Sequence, residues 1–500
     1  MEEKNQQHTT HEERSDRLKK LELLRARGVQ GYASMYRRTH AISEAREAPD
    51  ETEVMTAGRL TRFRDMGKMV FTDLQDFSGT IQVVIRVGEE GLPEDVFRQL
   101  VETLSVGDMV GVSGTRFVTK KGEVSLLARE VTMLSKALRP LPEKWHGLKD
   151  VEIKYRKRYL DLITNEETRE RFLFRSKFIQ TLREFYSSRD FIELETPILA
   201  VGASGALAQP FKTHYNALDL DVHLRIAPEL FLKQALVGGF ERVFEIGKVF
   251  RNEGMDSSHL QEFTMLEHYA AYWDYVDNMR FTEEMLSFII SKLLGSTKVS
   301  TLSRDDNEVE VDFKPPYRVV TFRDLLIEDC GIDIATHETA DSLRSAIAQT
   351  GITLESTERL GRGNLIDALY KKVSRPKLIH PTFITEHPVD LSPLARPNDN
   401  NPLVVDRFQL VVNGWEIVNA YSELADPLLQ EQRFVEQMKA RAHGDADAMS
   451  KDADFVVALE HGMPPASGWG MGIDRMVALL TRQPNLRDVV LFPLLRPNSC

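Results

Sequence analysis

Cysteine is almost absent from this chain of 500 residues, which contains only Cys330 and Cys500. The two are far apart and lack the spacing of metal ligands, so we expect neither a disulfide framework nor a structural zinc site. No apolar run approaches the ~20 residues needed to cross a bilayer, and the polar N-terminus contains no secretory signal. These absences predict a cytoplasmic protein without a membrane partner.

A net positive charge is also absent, because 76 acidic residues outnumber 64 basic ones and the formal net charge is −12. An RNA-binding protein needs only a local basic surface, so the net charge does not exclude one. The first predicted helix offers such a surface around its leucines. Two interpretations stay open, a solvated helix with ion pairs four residues apart or a contact with RNA. Its basic residues are Arg14, Arg17, Lys19, Lys20, Arg25 and Arg27.

The length exceeds what one hydrophobic core usually organises, so two or more domains are expected. After a helical extension over residues 1–50, five short β-rich runs separated by turn signals fill residues 51–137. Five strands in about eighty residues predict a small closed barrel of the oligonucleotide-binding (OB) type. Residues 138–160, with two prolines at the start, are predicted to form a linker.

Residues 161–500 predict an α+β domain with an antiparallel sheet. Amphipathic helices alternate with β-type segments such as 242–250 and 263–272, but without regular βαβ alternation. The charged stretch from about Met279 to Ile352 is predicted to be helical. A glycine-rich segment near the C-terminus leads into a final helix.

Two segments imitate known nucleotide-binding motifs. Gly468 to Arg475 resembles a dinucleotide loop, but Ile473 or Arg475 stands where the third glycine belongs, and too little chain follows for a βαβ unit. The run from Ala448 to Lys451 is similar to a class I synthetase loop but lacks its partner motif upstream. Because no Walker sequence occurs either, a bound ATP would need another kind of site.

The residues with the clearest chemistry lie between Phe240 and Glu267. Arg251 ends a predicted strand, where rigid backbone can aim a guanidinium at a phosphate or carboxylate, and Phe263 can offer its ring to a purine. From these residues alone, an anion site and a salt-bridged hairpin remain alternatives.

Three segments in this order resemble the signature motifs of class II aminoacyl-tRNA synthetases. Phe191–Pro197 resembles motif 1, residues near 240–272 motif 2, and residues near 468–482 motif 3, with an insertion near 280–380. Runs such as LRIAPELFLK and VALEHGMPP are similar to lysyl-tRNA synthetases in particular. The resemblance extends from about Arg14 to Pro497 and implies an antiparallel class II catalytic domain preceded by an anticodon-binding OB barrel.

The resemblance implies that the enzyme activates lysine with ATP and transfers it to tRNA(Lys). Arg251 and Arg475 would be the catalytic residues, with Arg251 on the α-phosphate and Arg475 sandwiching the adenine against Phe263. Glu253 would contact the adenine edge and His259 the outer phosphates. Mg²⁺ would accompany ATP on Glu416, while Gln409 stands where the family usually has a second acidic ligand.

A pocket rich in carboxylates suits a substrate with two ammonium groups, whereas the related aspartyl enzymes would need a cation there. By family analogy, Glu229 and the backbone of Gly205 would take the α-amino group, and Glu267, Tyr269 and Glu423 the side-chain ammonium. The complete lysine-binding set implied by the resemblance is Gly205, Glu229, Glu267, Tyr269, Asn419, Tyr421 and Glu423.

In the barrel, the resemblance assigns anticodon binding to Arg64, Phe71, Gln82 and Glu123. An aromatic face and an amide on barrel strands can stack on a splayed base and read it. The alternative is that Phe71 belongs to the barrel core.

Several residues depart from the family pattern, namely Gln209, Ser258, Gln409, Trp415 and Val418. Gln209 and Ser258 replace phosphate-binding arginines and Gln409 replaces an anionic Mg²⁺ ligand, so the charge changes roughly cancel and the effect on ATP affinity has no obvious direction. The departures keep open a silent paralogue that binds lysine, nucleotide or RNA as a regulator. A ligase that lysylates a protein is a further alternative, although the barrel argues against it. Motif 1 also implies a homodimer with Pro197 near its two-fold axis.

Overall fold

The computed structural model describes residues 2–142, 150–202, 205–206, 208–303, 306–354, 360–392, 395–442 and 452–497. The chain divides into two compact units, residues 1–149 and 150–500. Residues 143–149 of the predicted linker, the loop from Ala448 to Lys451 and Cys500 lie outside the described residues. Within them, no helix has both the length and the apolar character needed to cross a membrane.

The first unit is a five-stranded closed barrel with three helices. Its strands follow the order β1-β2-β3-β5-β4, and antiparallel pairing of β1 with β4 closes the barrel. The helices are α1 (Glu2–Ala26), α2 (Ile42–Glu47) and α3 (Glu94–Thr103), and the strands are β1 (Glu53–Asp65), β2 (Met69–Gln75), β3 (Thr80–Arg86), β4 (Met109–Val118) and β5 (Val124–Ser135).

Alternation of apolar and polar residues decides which side chains fill the barrel. In β2, Val70, Thr72 and Leu74 are buried, while the residues between them are half-buried on the outer face. Strands place successive side chains on opposite faces, so the β-rich runs of the sequence produce one apolar interior.

Helix α1 is attached to the barrel through its basic residues. Arg17 donates to the carbonyl oxygens of Val106 and Ala137 at 2.9 and 3.2 Å, and Lys20 donates to that of Leu104 at 2.9 Å. Arg27 forms an ion pair with an acidic residue of α3. Three of the six basic residues therefore hold the helix to its own domain, which neither interpretation from the sequence anticipated.

The second unit is built on one large sheet. Its helices are α4 (Val151–Arg156), α5 (Arg158–Thr164), α6 (Glu166–Ser187), α7 (Glu229–Val237), α8 (Tyr275–Leu294), α9 (Phe322–Cys330), α10 (Ala340–Gln349), α11 (Arg362–Val373), α12 (Pro427–Ala442), α13 (Ala453–Glu460) and α14 (Ile473–Leu480). Its strands are β6 (Ile192–Glu193), β7 (Leu199–Ala200), β8 (Lys212–Tyr215), β9 (Leu220–Leu224), β10 (Arg242–Phe250), β11 (Glu262–Ala271), β12 (Lys298–Leu302), β13 (Glu308–Asp312), β14 (Arg318–Thr321), β15 (Thr382–Pro388), β16 (Val404–Val412), β17 (Trp415–Ser422) and β18 (Ala466–Gly472).

Eight strands form this sheet in the order β14-β15-β16-β17-β18-β11-β10-β6. Pairing is antiparallel from β15 to β10 and parallel at both edges. Helices α6, α8 and α14 pack against the sheet and enclose the main hydrophobic core. The other face of the central strands is left for the site.

The prediction that the stretch from about Met279 to Ile352 is helical was wrong in its middle part. Helix α8 ends at Gly295, which adopts a left-handed conformation with φ 72°. A hairpin of β12 and β13 follows, with Val299 opposite Val311 and both buried. The charged lysine and glutamate side chains on its exposed face made this alternating pattern resemble a charged helix. Strand β14 follows the hairpin and joins the main sheet.

The second unit begins ten residues earlier than the expected end of the linker, because α4 and α5 belong to it. Arg158 and Asp161 of α5 form a buried ion pair at 2.8 Å, and Arg158 also donates to the carbonyl oxygens of Arg487 and Leu491. The two helices are only 6 and 7 residues long, too short to show a helical period, so the sequence pattern did not separate them from a linker.

Candidate functional site: a polar cavity on the main sheet

A cavity of about 350 Å³ lies over strands β10, β11, β17 and β18. Such concave sites with a few converging polar groups are typical of small-molecule binding. Twelve residues predicted from the sequence line it, and Glu423 and Gln409 are the two assigned to the site that do not. The twelve are Gly205, Glu229, Arg251, Glu253, His259, Phe263, Glu267, Tyr269, Glu416, Asn419, Tyr421 and Arg475.

Arg251 follows strand β10 directly and points into the cavity. Its guanidinium carbon lies 5.2 Å from the centre of the Phe263 ring. Burial lowers the pKa of Arg251, and Glu253, Glu267 and Glu416 oppose the shift. The buried Nε has no hydrogen-bond partner among the described residues. A buried, unsatisfied donor on a fixed cation is suited to bind an anion.

The glycine-rich segment is a β-strand and not a loop. In β18, Gly468, Gly470 and Gly472 line the cavity, whereas Trp469 and Met471 point into the core. A Cβ on Gly468 would overlap the Tyr269 ring and a carboxylate oxygen of Glu423. Glycine at alternate positions therefore leaves the sheet surface open at the cavity floor.

One end of the cavity is acidic. Glu267 accepts a hydrogen bond from Tyr269 Oη at 3.1 Å, and Glu229 accepts from Tyr421 Oη at 2.9 and 3.0 Å. Burial, together with the negative charge of Glu229, raises the pKa of Glu267 to about 8. Gly205, with φ 94°, lies beside Glu229, so close that a Cβ would be 3.3 Å from that of Glu229.

Glu423 lies behind this acidic end, next to a lysine that the sequence analysis overlooked. Lys233 Nζ contacts Glu229 Oε1 at 2.5 Å and also forms an ion pair with Glu423. Burial raises the pKa of Glu423, and the charge of Lys233 opposes the shift. Glu229 and Lys233 are four residues apart on α7 and so share one helix face, a spacing that could have signalled the pair.

The other end of the cavity carries Arg475 and Glu416. Arg475 Nη1 donates to the backbone oxygen of Glu416 at 3.0 Å. Burial alone would raise the pKa of the Glu416 carboxyl, but the charges of Arg475, Arg375 and Arg407, with a smaller effect from a lysine, outweigh it, so the pKa is lowered. This carboxylate is therefore ionised in a strongly cationic environment.

Gln409 is the second residue predicted to contact Mg²⁺. It pairs with Asn419 across the β16–β17 ladder, so it faces the cavity side of the sheet, but Arg407 and not Gln409 lines the cavity. The described residues contain no group of three or more acidic, histidine or cysteine side chains suited to a metal ion. Of the two residues predicted to hold Mg²⁺, only Glu416 is a carboxylate, so ATP phosphates would have to supply the other anionic ligands.

The loop after β10 is organised around Asp256. Its carboxylate accepts from the amide of Ser258 at 2.6 Å and contacts His259 Nδ1 at 3.0 Å. Slight burial would raise the pKa of Asp256, but the hydrogen bonds from Ser258 and His259 lower it to about 2. Ser258 stands here instead of an arginine, and Gln209 accepts from the amide of Asn252 through its backbone oxygen at 2.7 Å.

Two other departures from the family pattern have a packing explanation. Trp415 and Val418 on β17 belong to the main hydrophobic core, where Val418 is completely buried. A bulge between Leu410 and Val411 shifts the register of the ladder at this point. Neither side chain is among the residues that line the cavity.

In the first unit, the predicted anticodon residues are grouped on the barrel exterior. Arg64 on β1 is directly opposite Phe71 on β2, and Gln82 on β3 is diagonal to Phe71. Phe71 is half-buried on the outer face, so the alternative that it belongs to the barrel core was wrong. Gln82 accepts from the Ser125 hydroxyl at 3.1 Å, and Glu123 is exposed just before β5.

Comparison with known proteins agrees with both units. Residues 150–496 match the family model described as tRNA synthetases class II (D, K and N), and residues 54–134 match the OB-fold nucleic acid binding domain. The chain belongs to the class II tRNA synthetases. The predicted fold class, an antiparallel class II domain after an OB barrel, is therefore confirmed.

Several lysine–tRNA ligases are similar to this synthetase over nearly their full length. The enzyme of Thermosipho africanus is 44% identical over 495 residues, covering 97% of this chain and 96% of its own. That of Actinobacillus succinogenes is 46% identical over 497 residues, covering 97% of both chains. That of Pelotomaculum thermopropionicum is 45% identical over 486 residues, covering 97% and 94%.

Besides Lys233 behind the cavity, the sequence analysis of this synthetase missed two charged residues that line it. Arg407 donates to Asn419 Oδ1 at 2.9 Å and to the Ser392 hydroxyl at 2.7 Å. Asp474 accepts from the backbone amide of Thr264 at 2.7 Å. Each acts through contacts between segments distant in sequence, which no local pattern reveals.

Proposed function

We propose that this synthetase activates lysine with ATP and esterifies the lysine to tRNA(Lys). The observation that carries the proposal is the arrangement of charge in one cavity. Carboxylates of Glu229 and Glu267 lie at one end with Glu423 behind them, and Arg251 holds an unsatisfied buried donor in the same cavity. This order of charges suits a substrate with two ammonium groups whose own carboxylate must meet a phosphate.

For lysine, we assign the α-amino group to Glu229 and the backbone of Gly205, and the side-chain ammonium to Glu267, Tyr269 and Glu423. Asn419 and Tyr421 would border the aliphatic stem. A charge-assisted hydrogen bond contributes ~1.5–3 kcal/mol. Neutral side chains would leave buried carboxylates without partners, so the pocket would discriminate against them.

For ATP, we assign the α-phosphate to Arg251 and the adenine to the space between Phe263 and Arg475. Glu253 would contact the adenine edge and His259 the outer phosphates. When bound on Glu416 and the phosphates, Mg²⁺ neutralises phosphate charge. We do not assign a ligand role to Gln409 beyond a neutral oxygen.

Arg251 would hold both reacting groups, so that a carboxylate oxygen of lysine attacks the α-phosphorus of ATP. The bond from that phosphorus to the bridging oxygen breaks, and pyrophosphate leaves. A terminal ribose hydroxyl of tRNA then attacks the acyl carbon of the adenylate, and AMP leaves. No covalent enzyme intermediate is required, so positioning and charge neutralisation by these side chains are the main catalytic effects.

For tRNA, we assign anticodon contact to the outer face of the barrel carrying Arg64, Phe71 and Gln82, with Glu123 beside it. Charging tRNA would place the chain in the cytoplasm. We further propose a homodimer. The support is a run of exposed apolar residues on both sides of Pro197, between the edge strand β6 of the main sheet and the edge strand β7 of a separate three-stranded sheet, namely Ile192, Ile198, Leu199 and Val201. Exposed apolar patches of this kind mark interaction surfaces.

The deciding experiment is ATP–pyrophosphate exchange with single amino acids. We expect exchange with lysine, weaker exchange with ornithine and arginine, and none with aspartate or asparagine. Equal exchange with aspartate would refute the lysine assignment. An enzyme without exchange for any amino acid would favour a regulatory paralogue, whereas exchange with lysine but no charging of tRNA would favour a ligase that lysylates a protein.

A further inference from the structure

Lys233 occupies an environment similar to the one proposed for the substrate ammonium groups. Its side chain is only 1% exposed, and its Nζ contacts Glu229 and Glu423. Nζ also lies 5.9 and 5.7 Å from the ring centres of Tyr269 and Tyr421. Four of the seven residues assigned to lysine therefore already surround a lysine of the protein itself.

The charges around Lys233 can be counted. Once a bound ammonium has ionised Glu267, the carboxylates of Glu229, Glu267 and Glu423 would give the pocket three negative charges, and Lys233 removes one of them. The remaining two equal the number of ammonium groups that a lysine substrate brings, while the substrate carboxylate faces Arg251. Buried charges are stable only when they are paired. A pocket with two net negative charges should therefore bind a substrate with two ammonium groups more tightly than a pocket with one.

We propose that Lys233 is a specificity-determining residue, whose buried ammonium cancels one of three carboxylates so that the pocket offers two negative charges to a diammonium substrate. This inference rests on the proposed function, because it assumes that the acidic end of the cavity binds lysine. Lys233 acts through Glu229 and Glu423 and has no contact with the reacting atoms, so it is a positioning residue.

The position of Lys233 also explains why its effect should appear in KM. The ammonium groups of lysine keep their charge from the bound state to the transition state. An interaction that is equally strong in both states changes KM and leaves kcat unchanged. A general loss of structure would instead lower kcat and raise the KM for ATP as well.

The first variant is Lys233→Met, which keeps an unbranched apolar stem but removes the charge. Without the ammonium, Glu229 and Glu423 repel each other, so one of them is protonated or displaced and Glu229 is no longer held, ionised, in the position that meets a substrate ammonium. We expect the KM for lysine in pyrophosphate exchange to rise at least about tenfold, the effect of losing one charge-assisted bond. The kcat and the KM for ATP should stay within about threefold. A smaller rise, or an equal rise for ATP, overturns the proposal.

In the second test, removing Lys233 should lower the KM for lysine, because the variant has already lost the carboxylate of Glu423. Glu423→Gln leaves two carboxylates and Lys233, a net charge of −1, and should raise the KM for lysine at least about tenfold for the same reason. Adding Lys233→Met to Glu423→Gln restores a net charge of −2. We therefore expect the double variant to have a lower KM for lysine than Glu423→Gln alone, by about threefold or more. A further increase in KM would show that Lys233 is only structural.

The double variant also protects the test against misfolding, since removing both partners of a buried pair is tolerated better than removing one.

Lys136→Met is the matched control, because Lys136 forms a buried pair with Asp108 at 2.7 Å in the barrel. Its KM for lysine in exchange should equal that of the wild type, and an increase like that of Lys233→Met would overturn the proposal. If the wild type shows no lysine-dependent exchange, the proposed function fails. If the wild type shows lysine-dependent exchange but the KM values of the variants differ from those expected, only the inference about Lys233 fails.

Discussion

The backbone amide of Thr264 donates a 2.7 Å hydrogen bond to the carboxylate of Asp474, and Arg175 donates to the other oxygen at 2.5 Å. Thr264 follows Phe263 on β11, and Asp474 precedes Arg475 in the first turn of α14. This contact therefore sets the distance between the two side chains that we propose to enclose the adenine.

Asp474→Ala should raise the KM for ATP about tenfold or more, because a buried amide without an acceptor costs ~1–3 kcal/mol and the strand can shift away from the helix. Asp474→Asn keeps an oxygen acceptor and should have a smaller effect. Exchange kinetics at varied ATP would show this order, and the KM for lysine should change little in both variants. Equal effects of the two substitutions would contradict the role of the amide contact.

Binding of lysine should release a proton from Glu267 near neutral pH. The pKa of Glu267 in the free pocket is raised to about 8 by burial and by Glu229, so the group is protonated at pH 7. A bound ammonium favours the ionised form, so about one proton should leave and lysine affinity should increase as the pH rises towards 8. Calorimetry in buffers of different ionisation enthalpy measures this proton, and Glu267→Gln should reduce the number of protons released. An enthalpy independent of the buffer would contradict the prediction.

Phe71→Ala should weaken tRNA charging without affecting lysine activation. Loss of one base stack costs ~1–3 kcal/mol, so the KM for tRNA should rise by about 5- to 150-fold, while pyrophosphate exchange stays near the wild-type value. Val70→Ala is the matched control, since Val70 is the neighbouring residue and points into the barrel. It should lower barrel stability but leave the KM for tRNA unchanged wherever the protein is folded. A parallel loss of exchange in folded Phe71→Ala would refute the anticodon role.

The barrel, the main sheet and most of the cavity could be predicted, because their signals are local or belong to contiguous motifs. Strands β10 and β11 carry Arg251, Phe263 and Glu267 on a single hairpin. The failures have a different physical origin. The hairpin of β12 and β13 is hidden by exposed charges, and Lys233 and Asp474 acquire their roles only through partners far away in the sequence.

Sedimentation should give a species of twice the 57.0 kDa chain mass at micromolar concentration. The expected interface contains Leu199, which is 51% exposed at the edge near Pro197. Leu199→Asp would bury a charge in a closed two-fold contact twice, so it should shift the equilibrium towards the monomer. Leu428→Asp is a control at another highly exposed leucine on α12. A monomeric wild type at micromolar concentration would exclude the dimer.

The Mg²⁺ requirement should depend on Glu416 and respond to the charge at residue 409. Glu416 is ionised among several cations, and Gln409 stands opposite Asn419 on the cavity side of the sheet. Mg²⁺ keeps several waters and needs only one or two protein carboxylates besides phosphates. Gln409→Glu should therefore lower the Mg²⁺ concentration for half-maximal exchange, because it adds an anionic ligand. Glu416→Gln should abolish exchange, because it removes the predicted protein anion. Full exchange in Glu416→Gln across a Mg²⁺ titration would show that the metal is held without this carboxylate.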